Sequence, residues 1–79
     1  MPNAIYTVGT NGRTPDVKSR VERLPGVKGV QIAYGVGQDG HDGLVIYAAG
    51  EMSTLDKLYQ NLGETPGIVD RRGYILKSE

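Results

Sequence analysis

Cysteine is absent from all 79 residues, and that excludes three things at once. No disulfide framework, thiolate metal site or Cys-paired metal-transfer domain can be built. Tryptophan is also absent, and the one histidine is His41. No Ser-His-Asp or Cys-His constellation can be assembled with a meaningful spacing, so no catalytic residue is assigned and no enzymatic activity is expected. Charge of one sign is missing too: nine Lys+Arg balance nine Asp+Glu, and the largest basic cluster is Arg71-Arg72. That balance leaves no electrostatic footprint for nucleic acid or an anionic membrane. No hydrophobic run approaches a membrane span, and Met1-Pro2-Asn3-Ala4 is neither a basic region nor a signal core. A single cytoplasmic domain over residues 1–79 is expected, with no cofactor. A chain this short has a marginal core, which makes self-association the natural further source of stability.

What is present is punctuation. Leu24-Pro25-Gly26-Val27 and Thr65-Pro66-Gly67-Ile68 each follow a run with helical periodicity and precede a run with strand periodicity. Pro cannot continue a helix, Gly supplies a positive φ, and a β-branched residue begins the strand. Two such joints at corresponding places predict a duplicated β-α-β unit.

The remaining elements fall around them. Residues 4–8 read as a strand, and Thr14 as an N-cap with Pro15 at the first helical position. Val17, Val21 and Leu24 give that helix one apolar stripe. Residues 27–34 form a second strand and Leu44–Ala49 a third. Ser53 is the expected N-cap of a second helix, with Asp56 in capping-box spacing and Leu55, Leu58, Tyr59 and Leu62 as its stripe. Residues 68–76 make the last strand. The order βαββαβ predicts an α+β, ferredoxin-like fold, with a four-stranded antiparallel sheet and two helices on one face.

In that topology strands one and three are central, and the sheet face away from the helices should be polar. The third strand is apolar on both sides: Leu44, Ile46 and Ala48 on one, Val45, Tyr47 and Ala49 on the other. Ile5 on the first strand repeats the signal. An uncovered apolar face on so small a domain marks an interface, so Ile5, Val45, Tyr47 and Ala49 are expected to pack against a second copy of the chain.

The chemistry-bearing motifs are weak. Asp39, His41 and Asp42 crowd one Gly-rich loop without a distant fourth ligand, a pattern that fits turn formation better than a metal site. Gly9-Thr10-Asn11-Gly12-Arg13-Thr14 lacks the lysine and glycine spacing of a P-loop and reads as a capped turn. Tyr6 and Tyr47 sit where RNA-recognition domains stack bases, but no basic residues accompany them. Arg71 and Arg72, on opposite faces of the last strand, are candidates for one ligand carboxylate contact.

From about residue 17 onward the chain resembles the effector-binding (RAM) domain of the Lrp/AsnC regulator family. The likeness is carried by Leu24-Pro25-Gly26-Val27, Val30-Gln31-Ile32-Ala33-Tyr34, Gly40-His41-Asp42, Gly43-Leu44-Val45-Ile46-Tyr47, Leu55-Asp56-Lys57-Leu58 and Thr65-Pro66-Gly67-Ile68. The resemblance implies dimers formed by sheet packing, assembled further into larger oligomers. It also implies a small effector, typically an amino acid, bound between subunits near the loop joining strands two and three. Tyr34, Gly40, His41 and Asp42 are the residues it points to there. It further implies a stand-alone version of that domain, with no DNA binding of its own. His41 stands where the family commonly has an aromatic residue, Gly43 is inserted, and the loop from Gly35 is longer. The regulatory ACT domains share the same element order. The rival expectations are a dimeric ferredoxin-like enzyme of the α/β-barrel monooxygenase or isomerase type and a purely structural interaction module.

Overall fold

A computed structural model of the chain describes residues 2–35 and 42–76, with side chains described as far as residue 73. Six elements follow in order: β1 (Asn3–Thr10), α1 (Thr14–Val21), β2 (Val27–Ala33), β3 (Gly43–Ala49), α2 (Met52–Glu64) and β4 (Ile68–Leu76). They form one antiparallel sheet in the order β2-β3-β1-β4. This is the ferredoxin-like βαββαβ arrangement, with β1 and β3 central as the sequence implies.

Register decides which residues face the helices. Tyr6 lies opposite Ile46, Val8 opposite Leu44 and Ala4 opposite Ala48. All six are buried, and with Val17 and Val21 of α1 and Leu55, Leu58 and Leu62 of α2 they make the core. Each α2 leucine is a major fraction of that core, since burying a leucine side chain is worth about 1.5–3 kcal/mol.

The two Pro-Gly joints are geometric copies. Gly26 has φ +90 and Gly67 φ +94, and in each turn the residue after Gly donates its N–H to the residue before Pro, at 3.3 Å. Pro followed by a positive-φ Gly suits a type II turn. Each joint also reaches into the other half of the chain. Ala49 N–H, ending β3, donates to the Gly26 carbonyl, and Asn11 N–H, just past β1, donates to the Gly67 carbonyl. Gly26 lies against Thr54 of α2, and Gly67 against Val17 of α1. The duplicated unit is thus cross-linked by its own punctuation.

Both expected caps are corrected. Thr14 is the first helical residue, and the N-cap position is Arg13, held at φ 50. The Thr14 hydroxyl is instead buried against Thr10, 2.8 Å away. Thr10 Oγ1 donates to the Asp42 carbonyl at 3.0 Å, so the proton between the two hydroxyls comes from Thr14. Ser53 and Asp56 likewise form no capping box. The α2 helix starts at Met52 with Glu51 as N-cap and no side-chain cap, its first turn closed by Leu55 N–H on the Glu51 carbonyl. The helix begins at Met52, two residues too early for Ser53 to cap it, so Ser53 lies inside the first turn. The first helix also stops at Val21, so Leu24 reaches the core from the turn beyond it rather than from the helix.

Candidate functional site

Two surfaces offer chemistry, one on each side of the sheet. On the side away from the helices, Tyr47 of β3 lies between Ile5 of β1 and Gly29 of β2, and Val45 between Thr7 and Gln31. Tyr47 is 43% exposed, and Ile5, Val45 and Ala49 are partly buried by their neighbours alone. A shallow hollow of about 290 Å³ runs along Ile5, Tyr47 and Ala49, with Asn3 and Lys28 on its rim. The four residues expected at an interface therefore form one continuous patch. The helices cover none of it, because both crossovers pass on the other face.

The expected ligand residues are dispersed. Gly40 and His41 lie outside the described residues, as does Asp39. Tyr34 follows β2 and is 81% exposed. Asp42 stands at the start of β3 with its side chain exposed, while its carbonyl accepts both the N–H and the hydroxyl of Thr10. Tyr34 and Asp42 thus flank the β2–β3 connection together. Arg71 is elsewhere: β4 is the opposite edge of the sheet from β2, about 14 Å across at ordinary strand spacing. Its register opposite Val8 puts it on the helix side, where the guanidinium carbon lies 4.2 Å from the Tyr59 ring centre and Nη1 donates to the Tyr59 carbonyl. Gly63 opens the space that this guanidinium occupies. The structure does not bring Arg71 to the other expected ligand residues. Among the described residues no group of three His, Asp or Glu is placed to hold a metal ion.

The second surface has no counterpart in the sequence expectations. Between α2 and β4 lies an open cleft of about 340 Å³ lined by Tyr6, Asp56, Tyr59, Gln60 and Gly73. Asp56, Tyr59 and Gln60 share a helix face through their i, i+3, i+4 spacing. Gly73 lies opposite Tyr6 in the sheet, and a β-carbon there would come within 2.7 Å of the Tyr6 ring. The missing side chain of β4 is what allows that ring to lie across the strand. The Tyr6 and Tyr59 rings are 5.6 Å apart and tilted by 41°. Tyr6 is only 3% exposed, and its hydroxyl donates to the Leu55 carbonyl at 3.0 Å. Burial pushes its pKa above the ordinary tyrosine value, and the negative charge of Asp56 and then Tyr59 add to the shift. The elements of this cleft are distant in sequence, and only the helix spacing and the strand glycine were legible signals.

No protein-family model matches the chain, and no curated protein sequence does. Solved structures do match. A hypothetical protein from Pyrococcus horikoshii superposes with a TM-score of 0.80 at 21% identity, covering 100% of this chain and 93% of that one. A protein from Thermus thermophilus gives 0.74 at 18%, covering 100% and 96%. The ACT domain of the GTP pyrophosphokinase from Chlorobium tepidum gives 0.62 at 15%, covering 94% and 97%. The protein has the fold of these small ferredoxin-like domains. At such identities the likeness concerns fold alone, and no sequence match bears on the Lrp/AsnC resemblance. Among the described residues no helix is long and apolar enough to cross a membrane.

Proposed function

We propose that the protein is a small regulatory domain that self-associates through the open face of its sheet and senses a small effector, such as an amino acid, between subunits. The observation that carries this reading is the apolar patch of Ile5, Val45, Tyr47 and Ala49 on the uncovered face. A second copy is the occupant that fits best. The chain has no net charge to oppose association with itself. Its 35 × 19 Å outline is of the order of the ~800 Å² per partner that a standard interface buries. The ACT domain among the structural neighbours is consistent with a regulatory role, since it belongs to a GTP pyrophosphokinase. Tyr34 and Asp42, beside the β2–β3 connection, are the effector contacts of this reading.

No catalytic role is part of the proposal. Sedimentation of the purified chain should give a dimer or larger species, and Tyr47→Glu should give a folded monomer. A monomer in the unmodified protein would refute the assembly. Amino acids should raise the melting temperature by mass action. A panel of all twenty without a shift would remove the amino acid from the proposal while leaving the assembly standing.

A further inference from the structure

The two edges of the sheet are guarded differently. On β4, Asp70, Arg71 and Arg72 follow one another, so charge stands on both faces of that edge. Charged edge strands resist pairing with another strand. The one charge of β2 is Lys28, and it falls at the irregularity between Val27 and Gly29. The regular part of that edge, Gly29 to Ala33, carries no charge and no proline. Alternation along β3 fixes which backbone groups of β2 are left over. Ala49 N–H donates to Gly26, before β2, and Gly50 N–H donates to Pro2, before β1. Tyr47, Val45 and Gly43 therefore turn their peptide groups to Gly29, Gln31 and Ala33. Those of Val30 and Ile32 point out of the sheet. Their side chains lie on the helix side, yet Val30 is only partly buried, and Ile32 is 37% exposed beside the fully buried Leu44.

An apolar edge of this kind is a template for another strand. One antiparallel register makes it its own complement. Gln31, the midpoint of the regular segment, stands opposite Gln31 of a second copy. Val30 then meets the second copy's Ile32 in a pair that exchanges both backbone hydrogen bonds, because both residues turn outward. On the open face Gly29 meets Ala33, and the two Gln31 amides can bond to each other. A slip of one residue would set outward groups against inward ones. We propose that sheet-face dimers join further through antiparallel pairing of β2 with β2, centred on Gln31. This rests on the sheet-face reading above. A junction of two short strands is smaller than the about 1,200 Å² at which stable interfaces begin, so it does not hold single chains together. A dimer presents two such edges and gains from both.

Sedimentation of the full chain across a wide concentration range should show even-numbered species growing from the dimer. Gln31 is exposed, and Gln31→Lys or Gln31→Glu places like charges opposite each other in this register. Each variant alone should stay dimeric, its dimers associating at least tenfold more weakly. Mixed in equal amounts, Lys meets Glu and the larger species should return. Ile32→Lys, on the helix side and away from the sheet-face patch, should also stay dimeric. Gln60→Lys, on the exposed surface of α2, should assemble like the unmodified chain. The proposal is overturned by a dimer that never grows, by undiminished growth in Gln31→Lys or Ile32→Lys alone, or by a mixture that does not recover. A monomer throughout would overturn the sheet-face reading and this one together.

Discussion

Tyr6 joins three parts of this molecule. Its ring is core, its hydroxyl ties β1 to the Leu55 carbonyl of α2, and its edge requires the glycine at position 73. Tyr6→Phe keeps the ring and removes one buried hydrogen bond, so it should cost about 1 kcal/mol in urea unfolding. The pH dependence has a definite sign. The folded-state pKa is raised, so above about pH 10 the unfolded chain loses this proton first. The contribution is therefore complete below that pH and declines as pH rises through the folded-state value. Tyr6→Phe should flatten that alkaline decline, and an unchanged slope would show that Tyr6 is not its source. Gly67 makes a second residue-scale case. It combines φ +94 with a β-carbon position 2.7 Å from Val17, whereas Gly12, at φ +72, has open space around it. Gly67→Ala should destabilise by about 1–3 kcal/mol, and clearly more than Gly12→Ala. Equal effects on thermal melting would mean that backbone conformation alone, not packing on α1, sets the requirement.

At the scale of elements, the helix starts show where local patterns mislead. Ser53 with Asp56 and Thr14 with Pro15 are good cap signatures, yet each helix begins earlier than its signature. A cap is defined by where the preceding strand or turn releases the chain, and that is set by sheet register. Here the result is an α2 N-terminus without a side-chain cap: Glu51 sits at φ −65, ψ 157 with no such hydrogen bond. Glu51→Asp retains the charge and supplies the shorter side chain preferred at that position. It should add about 0.5–1 kcal/mol, or roughly 2–8 °C in melting temperature for a domain of this size. No gain would mean the extended geometry at Glu51 does not let a side-chain oxygen reach the first-turn N–H groups. Element positions, by contrast, were well specified in the chain itself. Each Pro-Gly joint combines a helix stop, a positive φ and a strand start in four residues, so neighbouring context had little to overrule.

For the whole molecule, the helices on one face leave the other to be covered by a partner or by water. If two copies meet there, folding and association are coupled, and the urea midpoint should rise with protein concentration. Tyr47→Glu should abolish that dependence while leaving the monomer folded, because the side chain is 43% exposed and outside the helix-side core. A midpoint independent of concentration in the unmodified protein would count against the shared sheet face. The two candidate sites lie on opposite sides of the sheet.

Element order, the antiparallel sheet, the core stripes and the apolar character of both faces of β3 were all legible along the chain. These follow from period-two and helical spacing and from turn chemistry, all of which act within a few residues. What lies beside what became visible only in the folded molecule. It separated Arg71 from Tyr34 and Asp42 by placing β4 and β2 at opposite edges. It turned Thr14 from a cap into a buried partner of Thr10. It also brought Tyr6, Asp56 and Gly73 around one cleft. The reason is physical: local pattern sets how each segment buries its own apolar face, whereas contacts between distant segments depend on register and crossover geometry, which no short window of sequence contains.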